Sequence, residues 1–154
     1  MVDPAPAALL SLHPRFAEAL LAGDKCVELR RRRPRLPEGT KLWFYSKVPV
    51  ASVVGVGTVR DVVTDCPHAV WERFSQCAGV SSGAFEAYLG GAVACSAIRF
   101  SDIAAVATPL PLDELRGFQP GFRPPQFFQW LSGDALLQAL AHTRLRPPIL
   151  SCDH

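Results

Sequence analysis

Lys25, Glu28 and Arg30 lie within one short run, GDKCVELRRRRPR, from Gly23 to Arg35. An amine and a carboxylate three residues apart can exchange protons when burial or a neighbour brings their pKa values toward neutrality; on spacing alone they can equally form an ordinary ion pair. Alternation through KCVELRR puts Val27 and Leu29 on one face of a strand and Cys26, Glu28 and Arg30 on the other, so that Glu28 and Arg30 are neighbours that can orient each other. Strict alternation would carry Lys25 to the face of Val27. The amine and the carboxylate therefore meet only if the strand begins after Lys25. Arg31, Arg32, Arg33 and Arg35 follow. Guanidinium forks of this kind bind phosphate oxygens bidentately, but they also guard exposed strand edges, and charge alone leaves both uses open.

Other residues qualify by type and place. Tyr45 and Ser46 end an aromatic run, KLWFYS, where a tyrosine can stack on a base and a serine can donate a hydrogen bond. His13 stands before a helix-opening proline and reads as a cap or packing residue. Trp43, Phe44, Trp71 and Trp130 read as core. Gln126 follows two prolines in FRPPQFFQWL, a loop stiff enough to wall a cleft or to end an element. Cys26, Cys66, Cys77, Cys95 and Cys152 are odd in number and include no C-x-x-C pair, which reads as buried reduced thiols of a cytosolic protein. No Gly-rich nucleotide loop, H-E-x-x-H or G-x-S-x-G is present, and neither a metal nor a cofactor is expected.

These residues need elements to position them. Ala7 to Leu12 is a short apolar run suited to a buried strand, after a leader from Met1 to Pro6. His13 to Ala22 reads as a helix, with Pro14 at its first turn and Gly23 as its stop. Lys41 to Ser46 and SVVGVGTVRDVV read as strands. Gly55 and Gly57 share one face of the second, inviting close approach by another group. CPHAVWERFSQCAG and SSGAFEAYLGG read as two short helices interrupting the sheet, before β character resumes in AVACSAIRFSDIAAVATPL. A proline-rich loop then turns into a short helix near Gln126, Gly133 to Thr143 forms a last amphipathic helix, and the tail RLRPPILSCDH shows no regular pattern. Strands mixed with segregated helices make an α+β domain around a curved sheet or small barrel.

Composition sets the outer bounds. The 154 residues fit one domain able to bury a sizeable core, and 49% hydrophobic against 19% charged residues exclude a disordered chain. A net charge of +2 supplies no global field for a polyanion, so nucleic-acid binding would rest on local clustering. No apolar stretch reaches the roughly 20 residues of a membrane span, and the N-terminus has no basic n-region; a cytoplasmic protein with no membrane partner is expected.

Taken in order, LLSLHPRFAEALLAGDKCVELRRRRP, KLWFYSKVPVASVVGVGTV and GFRPPQFFQWL resemble the ASCH domain family of the PUA-like superfamily over about residues 8 to 131. Gly23, Lys25, Glu28 and Arg30 match its G-x-K-x-x-E-x-R core, Tyr45 and Ser46 its strand ending in Tyr-Ser, and Pro124, Pro125 and Gln126 its late Pro-Pro-Gln. The resemblance implies a five- or six-stranded β-barrel with flanking helices and a cleft beside the first helix; residues 1 to 154 are then one such domain, its core about 8 to 131 and a C-terminal helix and tail over 132 to 154. It implies binding of RNA or other nucleic acid, linked to translation or transcription coregulation; the expected binding residues are Lys25, Glu28, Arg30, Tyr45, Ser46 and Gln126, with Arg31 and Arg33 added on their charge. Some members are ribonucleases and some deacetylate acetylcytidine, and in either case Lys25 and Glu28 would be the catalytic pair. In the amidohydrolases a threonine stands where this chain has Glu28, and a glutamate comes from the helical insertion, here near Ala78; Glu72 and Glu86 are close but not at the matching place. A protein partner without nucleic acid is the remaining class.

Overall fold

The computed structural model describes residues 5–150. Its strands are β1 (Ala7–Leu12), β2 (Val27–Arg30), β3 (Lys41–Ser46), β4 (Ser52–Asp65), β5 (Cys95–Pro111), β6 (Phe128–Trp130) and β7 (Ile149–Leu150). Its helices are α1 (Pro14–Ala22), α2 (Pro67–Phe74), α3 (Ser82–Leu89), α4 (Leu112–Phe118) and α5 (Asp134–Ala141). The strands form one curled sheet in the order β2-β5-β4-β3-β1-β6, with β7 on the flank of β5. Among the described residues, only β1 and β3 run parallel; the remaining pairs are antiparallel. The α+β architecture around a curved sheet is thus as the sequence pattern implies.

The middle of the sheet is buried on both faces. Ala8, Leu10 and Leu12 of β1 join Leu42, Phe44 and Phe100 in one core, while Leu9 joins Trp43, Tyr45 and Val53 in a second. A third core lies under α2 and α3, where Val70, Phe74, Phe85 and Leu89 meet Val27, Leu29 and Ala97. Gly57 explains how the first core closes: a Cβ there would sit 2.6 Å from Phe100 Cδ1 and 2.9 Å from Phe44 Cζ, so a bare backbone is what lets the two rings meet edge to face.

Three local readings are corrected. Residues near Gln126 form no helix; Phe128–Trp130 is extended and pairs with β1 through Ala8↔Trp130, Leu9↔Gln129 and Leu10↔Phe128. Pro124 and Pro125 hold the preceding chain extended, and three residues are too few to print a periodicity. The tail is not patternless either, since Leu145 bridges Val106 and Ile149 pairs with Ile103. Trp43 and Phe44 are core, but Trp130 is 46% exposed on the edge strand.

The cysteine reading is also corrected. Cys26 and Cys77 form a disulfide, their Cα atoms 5.2 Å apart across 51 residues of sequence, with the Cys26 amide donating to the Cys77 carbonyl at 2.8 Å. A pair so distant in sequence carries no spacing signal. Cys95 is a buried free thiol and Cys66 an exposed one, while Cys152 and Met1 to Pro4 lie outside the described residues.

Candidate functional site

The geometry of the site starts at the end of α1. Amides of Asp24 and Lys25 both donate to the Ala19 carbonyl, at 3.0 and 3.1 Å, which folds the chain back beneath the helix and delays the start of β2 to Val27. Lys25 is therefore outside the strand alternation. Its side chain reaches the same side as Glu28, with Nζ 3.5 Å from Glu28 Oε1. Arg30, two residues along the strand, donates from Nη2 to Glu28 Oε2 at 2.6 Å. One carboxylate thus holds a cation on each oxygen.

The linker between α2 and α3 completes the anchoring of Lys25. Nζ donates to the Ala78 carbonyl at 2.6 Å, and the amine lies 5.2 Å from the centre of the Phe16 ring. Gly79, at φ +72°, lays its backbone along the lysine stem; a Cβ there would be 2.9 Å from Lys25 Cδ, and an L side chain is disfavoured at that φ in any case. The lysine is 2% exposed and Glu28 5%. Burial holds the Lys25 pKa below the ordinary lysine value, and Arg30 acts in the same direction; Glu28, by charge and hydrogen bond, opposes them.

This opposition gives a direct test. Glu28→Gln should lower the Lys25 pKa further and Arg30→Met should raise it, read as a titration of the lysine Cε resonance by NMR. Opposite shifts are expected; two shifts of the same sign would contradict the geometry. A lowered folded-state pKa means that the fold binds fewer protons than the unfolded chain, so this lysine costs stability below its folded pKa and the cost fades as pH rises toward 10.5. Burial raises the Tyr45 pKa from 10.0, which pushes stability the other way in the same alkaline range. The resonance, rather than a melting curve, isolates Lys25.

Lys25, Glu28 and Arg30 line one cavity of about 370 Å³, bounded by the end of β1, α1, β2 and α3. Apolar walls come from Leu12, Phe16, Leu29, Val80, Phe85 and Leu89, and His13, Arg15 and Lys47 add basic groups. The guanidinium of Arg30 lies 3.9 Å from the centre of the Phe127 ring, which fixes its plane as well as its charge.

Other expected site residues lie elsewhere. Tyr45 is 4% exposed and packed in the second core with Leu9, Trp43 and Val53, so its ring cannot stack on a ligand in this cavity. Strand alternation sends it to the face of Trp43, away from Phe44. Ser46 is buried at the end of β3 and does not line the cavity. Gln126 is exposed on its loop, also off the cavity. Arg31 donates to the Tyr88 carbonyl at 2.9 Å, and Arg33 reaches back to the Val62 carbonyl and Thr64 Oγ1 on β4, at 2.9 and 2.6 Å. Neither lines the cavity. Glu72 is exposed beside His68, and Glu86 lines a separate depression with Cys66 and Trp71, so neither brings a second carboxylate to Lys25. Among the described residues, no group of three or more His, Cys, Asp or Glu could hold a metal.

Sequence reasoning passed over Arg15, Phe16, Lys47 and Tyr88 as cavity residues, and read His13 as a cap or packing residue. A signal for Lys47 existed: it directly follows β3, and parallel pairing of β3 with β1 sets its amide on the Leu12 carbonyl at 2.9 Å, beside His13.

Comparison with known proteins agrees with this architecture. Residues 10–102 match the ASCH domain. A Zymomonas mobilis protein named as an ASCH domain-containing ribonuclease is 33% identical over 124 residues, 80% of this chain and 83% of that one. The crystal structure of ASCH from Zymomonas mobilis superposes with a TM-score of 0.82 at 31% identity, covering 89% of this chain and 95% of that one. A protein from Agrobacterium tumefaciens shares the fold alone, at 18% identity and a TM-score of 0.53 over 97% of this chain and all of its own. With the Gly23-Lys25-Glu28-Arg30 core, the curled sheet and these relatives in agreement, the chain belongs to the ASCH domain family.

Proposed function

We propose that the cavity beside α1 binds RNA. The observation that carries this reading is the convergence of Lys25, Glu28 and Arg30 on one cavity that also takes His13, Arg15 and Lys47. Its walls suit a flat apolar body such as a nucleobase, and its cations suit the phosphates on either side. Glu28 is already engaged on both oxygens, so its task is to hold Lys25 and Arg30 in place.

A second reading, that the bound strand is also cut, is favoured by the depressed Lys25 pKa and by the Zymomonas mobilis relative named as a ribonuclease. In its deprotonated form the Lys25 amine would keep two N–H bonds for Ala78 and Glu28 and have a lone pair left. It would take the proton of a ribose 2′-hydroxyl as the 2′-oxygen bonds to phosphorus; the bond to the 5′-oxygen breaks, and that oxygen takes a proton from solvent. The Arg30 guanidinium would stabilise the phosphorane.

Fluorescence anisotropy with single-stranded RNA at several salt concentrations tests the first reading. Affinity should fall with salt, and Lys25→Ala and Arg30→Ala should each weaken it by about tenfold or more, as loss of a charge-assisted contact does. A flat curve at low salt across RNA and DNA pools would reject it. For the second reading, labelled RNA should yield product with the parent and none with Lys25→Met, and a 2′-deoxy substitution should block cleavage at that position. Cleavage 3′ of a deoxynucleotide would rule out the internal nucleophile.

A further inference from the structure

Tyr45 was expected to be the stacking residue, and the fold buries it; a different tyrosine stands at the cavity. On α3, Ala84, Phe85, Tyr88 and Leu89 form one stripe along the cavity wall, the spacing of residues that share a helix face. Phe85 and Leu89 are buried in the third core, whereas Tyr88 is 46% exposed. Its side chain makes no ring contact and no hydrogen bond with the described residues. Its backbone, by contrast, is held. Arg31, at the far end of β2, donates to the Tyr88 carbonyl at 2.9 Å, and Ser81 Oγ caps the start of the helix by accepting from the Ala84 amide at 3.1 Å.

A large aromatic side chain left half in water, on an anchored helix turn at the mouth of a cavity, is a preformed platform for a flat ligand. Phe85 is taken up by the third core, and Phe16, a further aromatic side chain of the cavity, already has the Arg15 guanidinium 4.6 Å and the Lys25 amine 5.2 Å from its ring centre. Charge is arranged to match. His13, Arg15 and Lys47 come from α1 and the strand ends beside it, while the α3 stripe is uncharged. Building on the RNA-binding reading above, we propose that Tyr88 stacks on an unpaired nucleobase of single-stranded RNA, with the adjoining phosphates on the α1 side. Arg31 is a positioning residue for that ring rather than a phosphate contact.

Anisotropy titrations of the full chain with a short single-stranded oligoribonucleotide, and with the same strand made abasic, test this. Tyr88→Ala should weaken binding of the base-bearing strand about tenfold, with Tyr88→Phe within twofold of the parent. The abasic strand should bind both variants like the parent. The slope of log affinity against log salt should not change in Tyr88→Ala, because no phosphate contact is lost, and should shrink by about 0.7 in Lys47→Ala. Parent-like binding by Tyr88→Ala, an equal loss on the abasic strand, or an equal loss in Tyr88→Phe would each overturn the stacking role. A melting temperature several degrees lower in Tyr88→Ala would also overturn it, by making the ring structural. A parent that binds neither strand would reject the RNA reading itself. A parent that binds both strands equally would reject only the stack.

Discussion

Glu28→Ala is expected to lower the stability of the fold by about 3–5 kcal/mol, the range seen when one partner is removed from a buried ion pair. Out of a total that for most domains is about 5–15 kcal/mol, this is the difference between a folded and a marginal protein. The reason lies on either side of the carboxylate: Lys25 and Arg30 each give Glu28 a hydrogen bond or ion pair, at 3.5 and 2.6 Å, and its loss leaves a buried ammonium and a partly buried guanidinium facing each other. Denaturant unfolding should show a lower midpoint with an unchanged slope. Glu28→Gln keeps an acceptor oxygen and should lose less. Replacing all three together, as Lys25→Met, Glu28→Leu and Arg30→Met, should recover most of the stability, because the desolvation of three charges disappears with their attraction. The Ala78 carbonyl, left without its donor, limits that recovery. The same triple variant should bind no RNA. Such a result would place the triad among groups kept for the ligand; a triple variant less stable than Glu28→Ala would make it a structural keystone instead.

Cys77→Ala is expected to cost about 4 kcal/mol, from the chain entropy restored to the unfolded state when a loop of 51 residues is no longer closed. Thermal melting with and without a thiol reductant checks it: the reductant should lower the parent's melting temperature and leave that of the variant where it is. A parent indifferent to reductant would show that the bond contributes nothing. The bond lies next to the site on both sides, since Cys26 follows Lys25 and Cys77 precedes Ala78, the lysine's acceptor. Losing it should therefore also broaden the Lys25 resonance.

Local chemistry made part of this site legible in the sequence. Spacing identified Lys25, Glu28 and Arg30 and stated the condition for their meeting, that the strand begin after Lys25; Pro14 and Gly23 bounded α1 within one residue. Nonlocal placement was not legible. In β3 both faces are buried, so alternation separates Tyr45 from Phe44 without saying which of them fronts the cleft. Tyr88 looks like any helical tyrosine until α3 is known to fold back over β2. Cys26 and Cys77 find each other only because the excursion through α2 returns the chain to the start of that strand. β6, three residues after a double proline, has too little length to carry a pattern.

Arg30 carries one more consequence. In the sheet order, β2 and β6 are the two ends, and Arg30 at the end of β2 lies over the ring of Phe127, the residue immediately before β6. The two ends of the curl are thus joined by a cation on a ring, where neighbouring strands are held by backbone ladders. A contact of that kind is worth about 0.5–2 kcal/mol, much less than a ladder. Arg30 thus serves the cavity and the meeting of the sheet's two ends with one guanidinium.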